Sequence, residues 1–219
     1  MKNILALIVM AVLTSGCATT AYWTMTDDLN RVAQSKSFQM SVPEGWVRTT
    51  EPDTWEQLEV GDKLRTILLE SMTVTRDGTS LHAITVTRRY SDNAFPTLKK
   101  KSLAGMLPIE AADLYVAELR KRNGLERLKV LSNKPAQVDE KQGFQLVMQY
   151  KNDDGLRVRV MSYGFVDETG FYTINYRAPY LYYYDRDHQD FTELVHSFKQ
   201  LQGAHEPPPK LPKWVELFT

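Results

Sequence analysis

The chain has 219 residues, 27 Lys and Arg against 27 Asp and Glu, and a single cysteine. Balanced charge gives no electrostatic case for nucleic acid or an anionic surface, and one cysteine excludes both a disulfide framework and a Cys-ligated metal centre. The length suits one domain with extensions, whose stability has to come from an apolar core.

Met1-Lys2-Asn3 carries one positive charge and leads into an apolar run from Ile4 to Leu13. That run is too short to span a bilayer, which takes roughly 20 apolar residues, so it reads as the h-region of a secretory signal. Thr14-Ser15-Gly16 then lead directly into Cys17. The arrangement resembles the bacterial lipobox, in which the cysteine thiol is diacylated and the peptide is cut before it; Thr14 stands where Leu is commonest, with Leu13 one place early. The alternative is an ordinary signal cut at a small-residue site, with Cys17 incidental. Acylation explains both the presence of Cys17 and the absence of any other cysteine. At about 0.8 kcal/mol per buried methylene, two or three chains anchor a protein stably. Ala18 and Thr19, and not Asp, follow the cysteine, which resembles cargo for the outer membrane. Residues 1–16 are therefore expected to be a signal peptide and 17–36 a tether, the protein facing the periplasm on a lipid anchor.

Asp27 to Ala33 suits a short helix capped by Thr26. Phe38 to Val42 alternates apolar and polar, Pro43-Glu44-Gly45 turns the chain, and Trp46-Val47 resumes it as a second strand. Leu64 to Thr75 and Leu81 to Arg89 read as strands joined through Arg76-Asp77-Gly78-Thr79. Ile109 to Asn123 places Ile109, Ala112, Val116 and Leu119 at helical spacing, with Gly124 as C-cap. A meander follows, with strands at Leu128 to Val138, Gly143 to Tyr150, Leu156 to Val166 and Gly170 to Arg177. Phe144, Leu146, Met148 and Tyr150 share one face, as do Tyr172, Ile174 and Tyr176. One apolar sheet face is thus expected, covered by the Ile109 helix and by an amphipathic helix over Arg186 to Leu201 with Asp185 or Asp187 as N-cap. Glu206-Pro207-Pro208-Pro209 must be extended, and the closing Trp214-Val215-Glu216-Leu217-Phe218 is too apolar for a solvated tail.

Phe38 to Val42, Pro43, Gly45 and Trp46, together with Tyr172 to Pro179 followed by Phe191, Val195 and Ser197-Phe198-Lys199, resemble the PsbP/DcrB-like superfamily. That resemblance implies an α+β fold, a central antiparallel sheet flanked by helices as an α/β/α sandwich, over residues 37–202, with 203–219 as a Pro-rich tail. It also implies a non-enzymatic accessory or assembly factor, the role members of that superfamily tend to have; the matched residues themselves carry architecture and not activity.

No code for catalysis stands out. Gly-x-Ser-x-Gly is missing, and Ser162 falls inside an expected strand where no nucleophile elbow forms; His-Glu-x-x-His, Gly-x-x-x-x-Gly-Lys and Gly-x-Gly-x-x-Gly are missing too. Asp185, Asp187, His188, Asp190, Glu193 and His196 form the densest titratable cluster, open to reading as a metal or general-base site or as acids favoured at a helix N-terminus. His188 and His196 lie two turns apart, roughly 12 Å at 1.5 Å per residue, too far to share one ion. Tyr180, Tyr182, Tyr183 and Tyr184 are either a recognition surface or core. Lys99-Lys100-Lys101 and Arg120-Lys121-Arg122 suit lipid headgroups or plain solvated faces. The leading expectation is a non-catalytic envelope lipoprotein with no cofactor, no metal and no nucleic-acid partner. It would bind a protein through Tyr180, Tyr182, Tyr183, Tyr184, Trp214 and Phe218, with the membrane reached through lipid on Cys17. The alternatives are a small-ligand or metal-binding domain with a pocket between sheet and helices, and an enzyme of unrecognised type.

Overall fold

Two periodicities, two residues for a strand and 3.6 for a helix, decide which side chains of this chain meet. The computed structural model describes residues 24–25, 32–34, 37–48, 55–59, 64–74, 81–90, 94–95, 98, 103–121 and 125–201. In chain order these form β1 (Thr24–Met25), β2 (Val32–Gln34), β3 (Phe38–Ser41), β4 (Trp46–Arg48), β5 (Trp55–Glu59), β6 (Leu64–Val74), β7 (Ala83–Arg89), α1 (Pro108–Arg120), β8 (Glu126–Val138), β9 (Lys141–Lys151), β10 (Arg157–Asp167), β11 (Gly170–Pro179), α2 (Tyr183–Ser197) and β12 (Lys199–Gln200). Among the described residues, nine strands make one antiparallel sheet in the order β1-β4-β6-β7-β11-β10-β9-β8, with β5 also on β6. A second sheet runs β12-β3-β2.

The expectation of one apolar face is corrected: both faces are buried, because alternate residues of the same strands supply each. Phe144, Leu146, Met148, Val158, Val160 and Phe171 pack with Ala111, Ala112, Tyr115 and Val116 of α1. On the other face Tyr163, Phe165, Tyr172, Ile174 and Tyr176 pack with Phe191, Leu194 and Val195 of α2 and with Phe38 and Phe198. Register fixes this division, since Phe144 pairs with Gly164 while Tyr172 pairs with the next residue, Phe165. Gly164 lets the Phe144 ring lie across β10: a Cβ there would sit 2.5 Å from that ring and 2.6 Å from the Tyr172 carbonyl oxygen. The result is the expected sandwich, a central antiparallel sheet with a helix on each side.

Pro108 opens α1, where a missing N–H is harmless, and the Glu110 carboxylate accepts the Leu107 N–H at 3.0 Å. Lys121 is the C-cap, and the expected cap Gly124 lies outside the described residues. The expected start of α2 is also corrected. Tyr182 is the N-cap, without a side-chain capping bond, and neither Asp185 nor Asp187 caps the helix. Core demand overrides capping chemistry here, because Tyr184 stacks on Tyr176 with centroids 5.5 Å apart and is buried. At the other end the helix stops at Ser197, and Lys199–Gln200 pair with Gln39 and Phe38; Phe198 stacks on Phe38 at 5.4 Å. The helix expected over Asp27 to Ala33 gives way at Val32 and Ala33 to β2, which pairs with β3, and its remaining residues lie outside the described ones. Strands β1 and β2 fall inside the stretch expected as a tether, and β5 had no counterpart in the sequence reading.

Candidate functional site

The chain leaves β11 through Ala178-Pro179 and enters α2 across Tyr180 to Tyr184, and the four tyrosines part company there. Tyr184 is core, and burial pushes its phenol up to about 12 despite the opposing Arg159 charge. Tyr183 is half-buried, its carbonyl accepting the Tyr176 hydroxyl at 2.8 Å. Tyr180 is held by its N–H, which donates to the Arg157 carbonyl at 3.0 Å. Two arginines clamp the group: Arg159 lies 4.0 Å from the Tyr180 ring centroid and 5.0 Å from that of Tyr184, and Arg186 lies 5.4 and 5.3 Å from Tyr182 and Tyr183. Such contacts add about 0.5–2 kcal/mol each as they become desolvated. What projects from this base is Tyr182, 62% exposed, and Leu181, 86% exposed, with the exposed Leu156 on the adjoining β9–β10 turn. Leu181 was not singled out in the sequence, where a leucine beside four tyrosines reads as core.

Beneath the tip lies a buried polar latch. Asp187 is 1% and His82 0% exposed, with Nδ1 of His82 2.9 Å from Oδ2 of Asp187. Arg186 donates through Nε to Oδ1 at 2.8 Å and through Nη2 to Oδ2 at 2.6 Å. The His82 ring lies nearly perpendicular to Trp46 and tilted against Tyr183, at centroid distances of 6.1 and 5.2 Å, and the Trp46 indole N–H donates to Asp190 at 3.4 Å. His82 and Asp187 are 105 positions apart, so no local pattern announces the pair. Three other polar groups of this helix have partners of their own or face solvent. His188 is exposed and its Nδ1 bonds the Asp185 carbonyl at 2.9 Å, Glu193 accepts from Gln189 at 3.1 Å, and His196 is exposed. Among the described residues no three His, Cys, Asp or Glu side chains converge as a metal site.

The opposite face of the sheet holds a cleft of about 280 Å³ beside α1. Leu119, Leu125, Leu128, Met148 and Val160 form its apolar side, and Thr85, Asn175 and Arg177 its polar side. The polar side is a row across β7, β11 and β10, because Thr85 pairs with Asn175 and Asn175 with Ser162. Asn175 donates to Thr173 at 3.0 Å, and the Thr173 and Thr87 hydroxyls are 2.7 Å apart. Ser162 lies in β10, fully buried; its Oγ and the Asn175 Oδ1 are buried without a protein hydrogen-bond partner.

Cys17, Trp214, Phe218, Lys99 to Lys101 and Arg122 lie outside the described residues, while Arg120 and Lys121 are exposed at the end of α1. No described helix is long and apolar enough to cross a membrane.

No protein-family model matches the chain, and no curated protein matches it in sequence. Among solved structures it is similar to CyanoP, the cyanobacterial PsbP of Synechocystis sp. PCC 6803, with a TM-score of 0.51 and 9% identity over 85% of this chain and 96% of that one. The Ran-binding protein Mog1p of Saccharomyces cerevisiae matches with a TM-score of 0.42 and 14% identity, over 74% of this chain and 89% of that one. LpqN of Mycobacterium tuberculosis, involved in cell envelope biogenesis, matches with a TM-score of 0.42 and 10% identity, over 77% and 86%. The likeness to CyanoP shows the fold alone: the chain has an α+β, PsbP-like architecture.

Proposed function

We propose that this chain is a non-catalytic, lipid-anchored protein of the bacterial envelope that binds a protein partner through Leu181 and Tyr182, as an accessory or assembly factor at the periplasmic face of the outer membrane. The observation that supports it is the 86% and 62% exposure of these two residues on a base locked by Tyr184, Arg159 and Arg186. Burying a leucine yields about 1.5–3 kcal/mol, tyrosine is a preferred interface anchor, and a base already ordered spares the cost of ordering on binding. The anchor rests on Cys17 and the small residues before it.

A photo-crosslinking amino acid placed at Tyr182 in living cells tests the partner. A discrete higher-mass adduct is expected, lost with Leu181→Asp, and missing when the crosslinker replaces the exposed Glu140 at the β8–β9 turn. Equal labelling at the two positions, or none at either, removes the partner reading. Cys17→Ser is expected to release the protein from membranes and abolish fatty-acid labelling; an unmodified thiol in the intact mass of the mature protein removes the anchor.

A further inference from the structure

We propose that the cleft beside α1 binds a small amphipathic carboxylate, its apolar body on Leu119, Leu128, Met148 and Val160 and its carboxylate on Arg177. At about 280 Å³ the cleft falls just below the roughly 300–1,000 Å³ of most ligand pockets, which suits a small ligand. Its walls are of the mixed kind such pockets have, mostly apolar with a few convergent polar groups.

Three observations select the ligand class. First, Arg177 is exposed and lines the cleft, and its side chain has neither an ion pair nor a hydrogen bond among the described residues. Among the described residues no acidic side chain lines the cleft with it, so its permanent charge is open to a ligand. One cation, with no second basic residue among the described lining, fits a single negative charge better than a phosphate. A guanidinium fork pairs with a carboxylate in two parallel hydrogen bonds. Second, the Asn175 amide and Ser162 hydroxyl beside it carry buried polar atoms without protein partners. Unmet buried polar atoms are costly in a folded protein; a water retained beside the ligand would donate to the Asn175 Oδ1, which an ionised carboxylate cannot do, and meet the Ser162 hydroxyl. Third, the groups stand on paired strands: Arg177 faces Val160 across β10 and Ala83 across β7. The apolar wall and the cation are therefore fixed relative to each other before any ligand arrives.

The proposal uses a different face of the sheet from the partner tip and stands or falls separately. The test takes the full chain carrying Cys17→Ser, so that no detergent competes, with methyl-labelled Met, Leu and Val followed by NMR during titration with octanoate and, separately, 1-octanol. Octanoate is expected to give saturable shifts at Met148, Val160 and Leu119. Arg177→Gln, at an exposed position, should weaken binding about tenfold or more, the scale of one charge-assisted hydrogen bond, and Ala83→Trp should abolish it by filling the cleft. Octanol should bind at least about tenfold more weakly than octanoate. Failure to saturate at about 10 mM octanoate, far weaker than the millimolar scale of marginal affinity, overturns the proposal. So does equal binding by Arg177→Gln, or equal binding of the alcohol.

Discussion

Replacing Asp187 by Ala separates two accounts of the start of α2. If Asp187 acted only as a cap or as a first-turn acid, its loss would cost about 0.5–2 kcal/mol or about 0.3–1 kcal/mol. In the structure it is 1% exposed, accepts two hydrogen bonds from Arg186 and lies 2.9 Å from the fully buried His82. Removing one partner of a buried charged cluster costs about 3–5 kcal/mol, because the others stay desolvated. For a domain of this size that lowers Tm by roughly 6–20 °C, at about 2–4 °C per kcal/mol. Urea unfolding of wild type, Asp187→Ala and the exposed control Asp185→Ala measures it, with the midpoint moving and the slope constant. Asp185→Ala should stay within about 1 kcal/mol. His82→Gln combined with Asp187→Ala should be less than additive, with a coupling of about 0.5–3 kcal/mol. A loss for Asp187→Ala no larger than for Asp185→Ala, or strict additivity with His82→Gln, refutes the latch. The cluster also sits under Tyr183, so Asp187→Ala should lower the crosslinking yield at Tyr182 in protein still folded.

Gly164→Val drives side-chain carbon into Phe144 and the Tyr172 carbonyl, contacts already under 3 Å for a lone Cβ; overpacking of about 1–3 kcal/mol or more is expected by urea unfolding. Acid should loosen β12. Burial raises the Asp139 and Asp167 carboxyls, but hydrogen bonds from Lys199 and the Gln200 N–H to Asp139, and from Thr169 and Gln200 to Asp167, outweigh it and hold both below the usual range. A depressed carboxyl contributes fully above its unfolded value, about 3.9, and loses that contribution as pH falls through the folded value. The protection of the Gln200 N–H, which donates to Asp139 at 3.1 Å, should fall at low pH before the sheet opens, once the exchange rate is corrected for its intrinsic pH dependence, and Asp139→Asn should remove the part of that loss that Asp139 carries, leaving the part from Asp167. Phe198→Ala deletes a ring with 0% exposure stacked on Phe38 and should cost about 3–5 kcal/mol. Leu181→Asp, at an exposed position, should change stability by no more than about 0.5 kcal/mol.

The strands of the meander were legible because their alternation and turn residues are local: Phe144, Leu146 and Met148 share a face as expected, and the β10–β11 hairpin closes at Asp167 and Gly170. Which face each strand offers to which helix was not, since that depends on cross-strand register, and a one-residue difference moves a side chain to the other side. The α2 boundaries failed for a related reason. Tyr183 and Tyr184 carry little helix-start signal, and Asp185 and Asp187 carry much, yet Tyr184 is placed by Tyr176 and Asp187 by His82. β5 was invisible because Trp55-Glu56-Gln57-Leu58-Glu59 gains its order from pairing with β6 and not from its own pattern. At the candidate sites the tyrosine run was visible as an aromatic cluster, but the division into core Tyr184 and exposed Tyr182 required the arginines Arg159 and Arg186. Arg177 and Asn175 gave no signal, being the polar half of an ordinary alternating strand.

That last point bears on how a sheet buried on both faces leaves room for binding. Along β11 the residues facing α2 are Tyr172, Ile174 and Tyr176, all buried, and the fold cannot spare them. The residues facing the other way run Thr173, Asn175 and Arg177, becoming steadily more exposed toward the end of the strand. The same strand then delivers Leu181 and Tyr182 to solvent just beyond its end. Arg177, Leu181 and Tyr182 are exposed and contribute little to the core, which is why Arg177→Gln and Leu181→Asp can weaken binding while leaving unfolding midpoints where they were. If either change unfolded the protein, the side chain would belong to the core and the site assigned to it would be lost.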